Sequence, residues 1–541
     1  MSTEISTGVY LVRLLRAYGV DTVFGIPGVH TIELYRGLAG SGIRHVTPRH
    51  EQGAGFMADG YARASGQPGV CFIISGPGMT NIATAMAQAY GDSVPMLVIS
   101  TVNAHGRMGS GAGWLHELPD QQALAAGVSA FSRTVHTPGE LPGALAEAFA
   151  VFDSTRPRPV HLELPIDVML APADDLPVPG APAIDGARAA RPAPAPEAVS
   201  RAAAMLGGAR APLILAGGGA ARATALPALA HALDAPVVMT TNARGILPPG
   251  DPLAVTLSPS MPETRALIAG ADVVLAIGTE LGPTDHDMFE DGGLCLPGAL
   301  IRADIDPAQA QRGAPPALVL TGDAGQTAEA LLAAVQGRST SDGAARAARA
   351  QAGLDALGPD MRGDLALLDH IRDTLPGALI VGDSTQAVYA GNLGFAAARA
   401  GGYFNSATGF GTLGYALPAA IGAALAEGAP VVALMGDGGL QFTLGELTTA
   451  TEAGVPVILC LYDNQGYGEI KAAMTQQNVP PLGVDILTPD LCTIARSCGW
   501  TVAQPDTAEA FGAALTEAAG RNAPTLIHYT DTLRTAFRTG D

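Results

Sequence analysis

The sequence predicts an α/β protein built from three doubly wound domains, each a parallel sheet covered by helices, and three observations lead there. Short apolar runs broken by Gly, Pro and polar residues alternate with stretches of helical spacing along the whole chain. Runs that are apolar throughout belong to strands buried on both faces, which is how parallel sheets pack between helices. The chain has 541 residues, too many for one ordinary domain. Finally, two stretches break the alternation. "APADDLPVPGAPAIDGARAARPAPAPEA" from Ala171 is rich in Pro and Ala, and "GRSTSDGAARAARAQ" from Gly337 is small and polar. Both read as connectors, dividing the chain into 1–175, 195–336 and 355–541.

The elements follow in order. "MSTEISTGVYLVRLLRAYGV" has the spacing of an amphipathic helix. It lacks the basic head, apolar centre and small-residue cleavage site of an export signal, so a cytoplasmic location is expected. In the first segment "GVCFIIS" and "VPMLVIS" read as strands around the helical "GMTNIATAMAQAYGDS". In the second, "APLILAGGG", "APVVMTT" and "ADVVLAIG" are strands separated by helical stretches. In the third, "APVVALMGD" and "VPVILCLYDN" flank "LGELTTATEAG", with Gly454 as the helix stop.

Composition excludes several function classes. Hydrophobic residues make up 48% and charged residues 15%, so large cores can form and disorder does not dominate. No apolar run reaches the roughly 18–20 residues needed to span a bilayer. Lys plus Arg number 30 against 50 Asp plus Glu, a formal charge of −20, which argues against nucleic-acid and anionic-membrane partners. The 5 cysteines lack CxxC spacing, so neither a disulfide framework nor a zinc site is expected.

The chemistry concentrates in "LMGDGGLQFTLGELTTATEAGVPVILCLYDNQGYGEIK", Leu434 to Lys471. Asp437 and Asn464 stand at the ends of two strands expected to be neighbours, and ligands of such sheets bind beyond the carboxyl ends of strands. A carboxylate and an amide oxygen are hard donors that suit Mg²⁺, an ion that commonly shares phosphate oxygens. Gly436, Gly438 and Gly439 let the backbone come close to a diphosphate. Gly-Asp-Gly alone is equally compatible with a ligand-free turn; the added Asn favours a Mg²⁺-diphosphate site.

This pairing resembles the thiamine-diphosphate motif of the acetolactate synthase and 2-oxo-acid decarboxylase superfamily, in which Gly-Asp-Gly is followed by Asn-Asn. The first Asn is replaced by Asp463 here; the second, Asn464, is the one that ligates the metal in the family. "FGIPGVHTIELYRGL" from Phe24, "PRHEQGAGFMADGYARASGQPGVCFIISGPGMTN" from Pro48 and "TGFGTLGYALPAAIGAAL" from Thr408 are similar to other segments of that family, so the resemblance covers nearly the whole chain. It implies pyrimidine-binding, central and diphosphate-binding domains in that order. It further implies that Glu51 bonds the aminopyrimidine and drives proton removal from the cofactor. Leu413 would hold the two cofactor rings bent and the Gly411 carbonyl would accept from the 4′-amino group. Thr385 and Gln386 would lie at the diphosphate, and the Gly466 carbonyl would complete the metal shell with Asp437 and Asn464. A homodimer is the smallest assembly implied, and a homotetramer is common in the family.

The reaction implied is loss of CO₂ from a 2-oxo acid, followed by release of an aldehyde or by joining to a second carbonyl compound. Val29, His30, the "WLHELPDQQAL" stretch and "NQGYGEIK" are expected to line the substrate pocket. His30 and His116 are the candidates for proton relay, because Ile74 stands where many decarboxylases of the family carry His. Within the family the pocket segments most resemble 5-guanidino-2-oxopentanoate decarboxylases, which form 4-guanidinobutanal. A guanidinium needs a planar carboxylate partner, and Glu469 and Glu117 are the acids in position to supply one. An acetolactate synthase-like carboligase acting on pyruvate is the alternative, although the Arg and Trp usual in that enzyme's substrate-facing helix are missing from "GYGEIKAAM". The central domain resembles one that binds FAD in some members, but Gly-Gly-Gly without a full GxGxxG does not favour FAD here. A non-catalytic cofactor-binding scaffold is the third reading, and the presence of Glu51, Asp437 and Asn464 speaks against it.

Overall fold

The structure is a computed structural model and describes residues 5–178, 180, 184, 188–336 and 342–539. Among the described residues eighteen strands form three sheets of six, and the strand pairs are parallel. The first sheet holds β1 (Thr22–Gly25), β2 (Arg44–Val46), β3 (Gly69–Ile73), β4 (Met96–Val102), β5 (Phe131–Thr134) and β6 (Val160–Pro165), in the order β2-β1-β3-β4-β6-β5. The second holds β7 (Pro212–Ala216), β8 (Val237–Met239), β9 (Ala254–Val255), β10 (Val273–Ile277), β11 (Ala299–Asp304) and β12 (Leu318–Thr321), in the order β12-β11-β10-β7-β8-β9. The third holds β13 (Leu379–Gly382), β14 (Tyr403–Asn405), β15 (Val431–Gly436), β16 (Val457–Tyr462), β17 (Thr501–Ala503) and β18 (Thr525–Tyr529), in the order β14-β13-β15-β16-β18-β17. The predicted fold class is therefore the observed one. Strands such as β4 (MLVISTV) and β16 (VILCLY) are buried along their whole length, which is why they read as unbroken apolar runs.

Each sheet reverses its winding beside its first strand, and in the first and third sheets these reversals open a crevice. In the first sheet the chain moves from β1 out to β2 and returns to β3 on the other side, so the crevice opens between the ends of β1 and β3. In the third it opens between β13 and β15. Ligands of open α/β sheets bind at such points.

The chain folds as two compact units. One consists of Met1–Ala190 with Gly414–Gly428 and Gln441–Val457; the other of Arg191–Leu413, Ala429–Leu440 and Ile458–Asp541. Compactness thus cuts across the three sequence segments, because helix Ala416–Ala426 lies on helix Glu51–Ser65 within the first unit. Glycines allow that approach: a Cβ at Gly60 would overlap the Ala419 carbonyl oxygen, and one at Gly422 would overlap that of Met57. Buried polar groups pin the same contact. Arg63 reaches Asp59 and Asp92 at 2.7 Å each, and the Tyr415 hydroxyl donates to Asp59.

The stretch from Gly337 is not all connector: Gly343–Gln351 is a helix that buries Ala347, Ala350 and Arg346. Ala at helical spacing gives it propensity, and Arg346 ties it to the central sheet through the Pro212 carbonyl at 3.0 Å. Residues 337–341 lie outside the described residues, as do 179, 181–183 and 185–187 of the Pro/Ala-rich stretch. Gly454 stops helix Glu446–Ala453 as read from the sequence, with φ 66°. No helix among the described residues is long and apolar enough to cross a membrane.

Candidate active site

In the first unit the site forms where β1 and β3 end. Helix Glu51–Ser65 starts after His50, whose ring accepts from the Gln52 amide at 3.1 Å, and ends at Gly66 with φ 76°. Glu51 is 9% exposed, although Arg49 and His50 just before it are polar. Its Oε2 accepts from Asn81 Nδ2 at 2.9 Å, and a Cβ on Gly78 would sit 3.5 Å from its Oε1. The turn leading into Glu51 is held by Glu446, whose buried carboxylate accepts from the Arg49 amide at 3.0 and 3.2 Å and from Thr449 Oγ1 at 2.7 Å. Burial pushes the Glu446 carboxyl above its ordinary pKa.

The two histidines come together at this edge. The His30 and His116 rings meet edge to face at 5.1 Å. His30 Nδ1 lies 2.6 Å from Ser75 Oγ, and burial, then the neighbouring His116, hold the His30 imidazole below its usual pKa. His116 has φ 61°, a strained conformation for a non-glycine residue. Its Nδ1 is buried with no hydrogen-bond partner among the described residues. Ile74 packs against Gly28, where a Cβ would overlap its Cδ1. Val29 is 74% exposed and belongs to no core.

In the second unit the Gly-Asp-Gly turn leads from β15 into the short helix Asp437–Gln441. Asp437 is buried and its Oδ2 accepts from Thr488 Oγ1. Burial, with Asp463 nearby, pushes its carboxyl above the ordinary pKa. The Asn464 side-chain amide lies 3.1 Å from Asp437 Oδ1 and 2.9 Å from the Gly466 carbonyl, with its nitrogen donating to both. A carboxylate, an amide oxygen and a backbone carbonyl are the hard donors that Mg²⁺ takes, so the chemistry of the set fits that ion once the amide presents its oxygen. Among the described residues no cluster of three His, Cys, Asp or Glu side chains could hold a metal; this mixed set is the candidate.

Around that turn, Gly436 lies by Thr385, Gly438 by the Tyr467 ring, and Gly439 by the Asp383 carboxylate. Thr385 is the buried residue that opens helix Gln386–Gly394. Gly411 has φ 79° and donates to the Ser406 carbonyl at 2.9 Å, and Leu413 is half-buried. Asp463, the departure from Asn-Asn, accepts from the Gln465 amide at 3.1 Å and pairs with His528 at 3.0 Å.

The two acids proposed for the guanidinium differ. Glu117 is consumed by its own loop: Oε1 accepts from Ser110 Oγ (2.8 Å) and the Gly111 amide (2.7 Å), and Oε2 from the Gly113 (2.9 Å) and Trp114 (3.0 Å) amides. These bonds, led by Ser110, hold its carboxyl below the ordinary pKa. Glu469 is exposed in the first turn of helix Gly468–Gln476, and its Oε2 accepts from Gln386 Nε2 at 2.6 Å. Lys471 is taken by Asp485 at 2.7 Å, so Glu469 has no cationic partner among the described residues.

Sequence reasoning missed Asn81, Ser75, Glu446, Asp383 and Thr488. Asn81 and Ser75 lie in quoted motifs and could have been found there. Glu446 and Thr488 carry no local signal, since only the fold brings them to Arg49 and Asp437.

The first unit thus offers a buried carboxylate and a histidine pair at a sheet reversal, and the second a Gly-rich turn beside a carboxylate, an amide and a backbone carbonyl. The family models for thiamine pyrophosphate enzymes match all three parts: the N-terminal TPP binding domain over residues 5–124, the central domain over 199–331 and the C-terminal TPP binding domain over 383–529. A Pseudomonas aeruginosa protein named probable 2-ketoarginine decarboxylase AruI is 48% identical over 97% of this chain and 93% of its own. The acetolactate synthase large subunit of Corynebacterium glutamicum is 33% identical over 86% of this chain and 76% of its own. Acetolactate synthase isozyme 1 large subunit of Escherichia coli is 31% identical over 85% and 82%. The chain belongs to the thiamine pyrophosphate enzymes.

Proposed function

We propose that the protein catalyses the thiamine diphosphate- and Mg²⁺-dependent decarboxylation of 5-guanidino-2-oxopentanoate to 4-guanidinobutanal and CO₂. The observation that carries this reading is the full-length, 48% identity to a protein named probable 2-ketoarginine decarboxylase. Glu469 supports it, as an exposed carboxylate without a cationic partner among the described residues, a few residues beyond Asn464 and Gly466.

The residues have the following roles. Glu51 holds the proton at its carboxyl against the aminopyrimidine, with Asn81 fixing Oε2. Asp437, Asn464 and the Gly466 carbonyl hold Mg²⁺, and through it the diphosphate, beside Gly436, Gly438, Gly439, Thr385 and Gln386. Leu413 and the Gly411 carbonyl take the cofactor's ring system. When bound, thiamine diphosphate supplies the electron sink that accepts the pair released with CO₂. Glu469 orients the guanidinium, His30 and His116 line the path by which a proton is relayed to the substrate, and Val29 borders the substrate. Glu117 organises the loop that carries His116.

The segments 1–175, 195–336 and 355–541 act as pyrimidine-binding, central and diphosphate-binding domains of a cytoplasmic homodimer or homotetramer. FAD is not part of this reading. The Gly-Gly-Gly turn is accounted for by packing, since a Cβ on Gly217 would meet the Gly278 carbonyl oxygen at 2.4 Å.

A carboligase acting on pyruvate is the second reading, favoured by the 33% and 31% identities to acetolactate synthases. The test is product analysis by mass spectrometry with thiamine diphosphate and Mg²⁺, using the guanidino acid and pyruvate separately. Guanidinobutanal from the first is expected. Acetolactate from the second, with the guanidino acid untouched, would establish the carboligase. In Asp437→Ala, calorimetry should show that Mg²⁺ no longer strengthens cofactor binding.

A further inference from the structure

We propose that Ser75 is a positioning residue that fixes His30 as its Nε2–H tautomer, so that His30 presents a hydrogen-bond donor, not an acceptor, at the carboxyl edge of the first sheet. This rests on the reading above only in assigning His30 to the substrate; the tautomer itself follows from the packing.

Ser75 is 0% exposed, and its hydroxyl has one hydrogen-bond partner among the described residues, His30 Nδ1 at 2.6 Å. A buried hydroxyl whose hydrogen finds no acceptor is costly, and here the acceptor on hand is that ring nitrogen. Nδ1 therefore accepts, and a neutral imidazole that accepts at Nδ1 carries its hydrogen on Nε2. His30 Nε2 has no partner among the described residues and is left for a ligand. The neutral form is the relevant one, because burial and His116 both disfavour the imidazolium.

The turn carrying Ser75 is held on both sides. Gly76 has φ 67°, and its amide donates to Gln121 Oε1 at 2.8 Å. Gln121 is itself buried and donates to Ser100 Oγ (3.1 Å), the Thr101 carbonyl (2.9 Å) and Glu163 Oε2 (2.9 Å). On the other side, a Cβ on Gly76 would stand 2.6 Å from the His116 carbonyl oxygen. One turn thus sets both His30, through the Ser75 hydroxyl, and the strained backbone of His116.

The test is the tautomer of His30, read by NMR from ring ¹³C and ¹⁵N shifts in full-length protein labelled at histidine and assigned with His30→Gln. Nε2–H in the wild type and a mixed population in Ser75→Ala are expected; Nδ1–H in the wild type overturns the proposal. Kinetics on whichever 2-oxo acid is turned over give the second arm. Ser75→Ala should lower kcat about tenfold with KM within about twofold, and Ser75→Thr, which keeps the hydroxyl, should restore it. Unchanged kcat and tautomer in a Ser75→Ala protein with wild-type thermal unfolding would also overturn it. Nε2–H in a protein that makes no guanidinobutanal would uphold the tautomer and reject the substrate instead.

Discussion

Glu51 shows what single residues convey and conceal. Its neighbours Arg49 and His50 suggest an exposed helix start, yet the fold buries it against Asn81 and seats the preceding turn on Glu446. Glu51→Gln keeps the shape and removes the acid, so turnover should fall by at least about a hundredfold while calorimetry still detects cofactor binding. The two candidate carboxylates separate by the same kind of reasoning. Glu469→Gln should raise KM for the guanidino acid and leave uncharged 2-oxo acids nearly unaffected. Glu117→Gln weakens four bonds within one loop and should alter all substrates alike; steady-state kinetics on both acids decide between them. That Asp437 and Asn464 come together was legible, because each stands at the end of a strand and the two strands are neighbours. Sequence could not show that the Glu117 carboxylate is already saturated by the loop around it.

At the scale of elements, strands were legible and helix contacts were not. Unbroken apolar runs mark β4 and β16 without ambiguity, whereas the helix at Gly343–Gln351 hid in a stretch whose small residues suggested a connector. The pairing of helices Glu51–Ser65 and Ala416–Ala426 depends on glycines that sequence alone reads as helix-weakening. Gly60→Ala should force the two apart and cost about 1–3 kcal/mol, lowering the temperature at which the first unit melts in calorimetry. The buried His161, bridging Ser100 at 2.8 Å and Ser132 at 2.7 Å, gives β4, β5 and β6 a pH limit. Burial pulls its pKa from 6.5 down to about 3. Between those values the unfolded chain takes up a proton that the folded chain refuses, so the stability is complete above about pH 6.5 and is lost as pH falls toward 3. Urea unfolding should show that decline, and His161→Gln should flatten it.

For the molecule as a whole, length and alternation sufficed for three α/β sheets, because each sheet must be wrapped by helices to bury both faces. How the chain divides into compact units was not legible, since segments 414–428 and 441–457 join residues far away in sequence. The ion pair between Lys471 and Asp485 has a use at this scale. Lys471 is the sole lysine in the sequence, and it lies on the helix that begins just beyond the candidate metal ligands. An amine-reactive dye therefore has one side-chain address in this sequence. Its emission, read against the amino terminus as the remaining competing amine, would make the neighbourhood of Glu469 optically visible without altering any other residue.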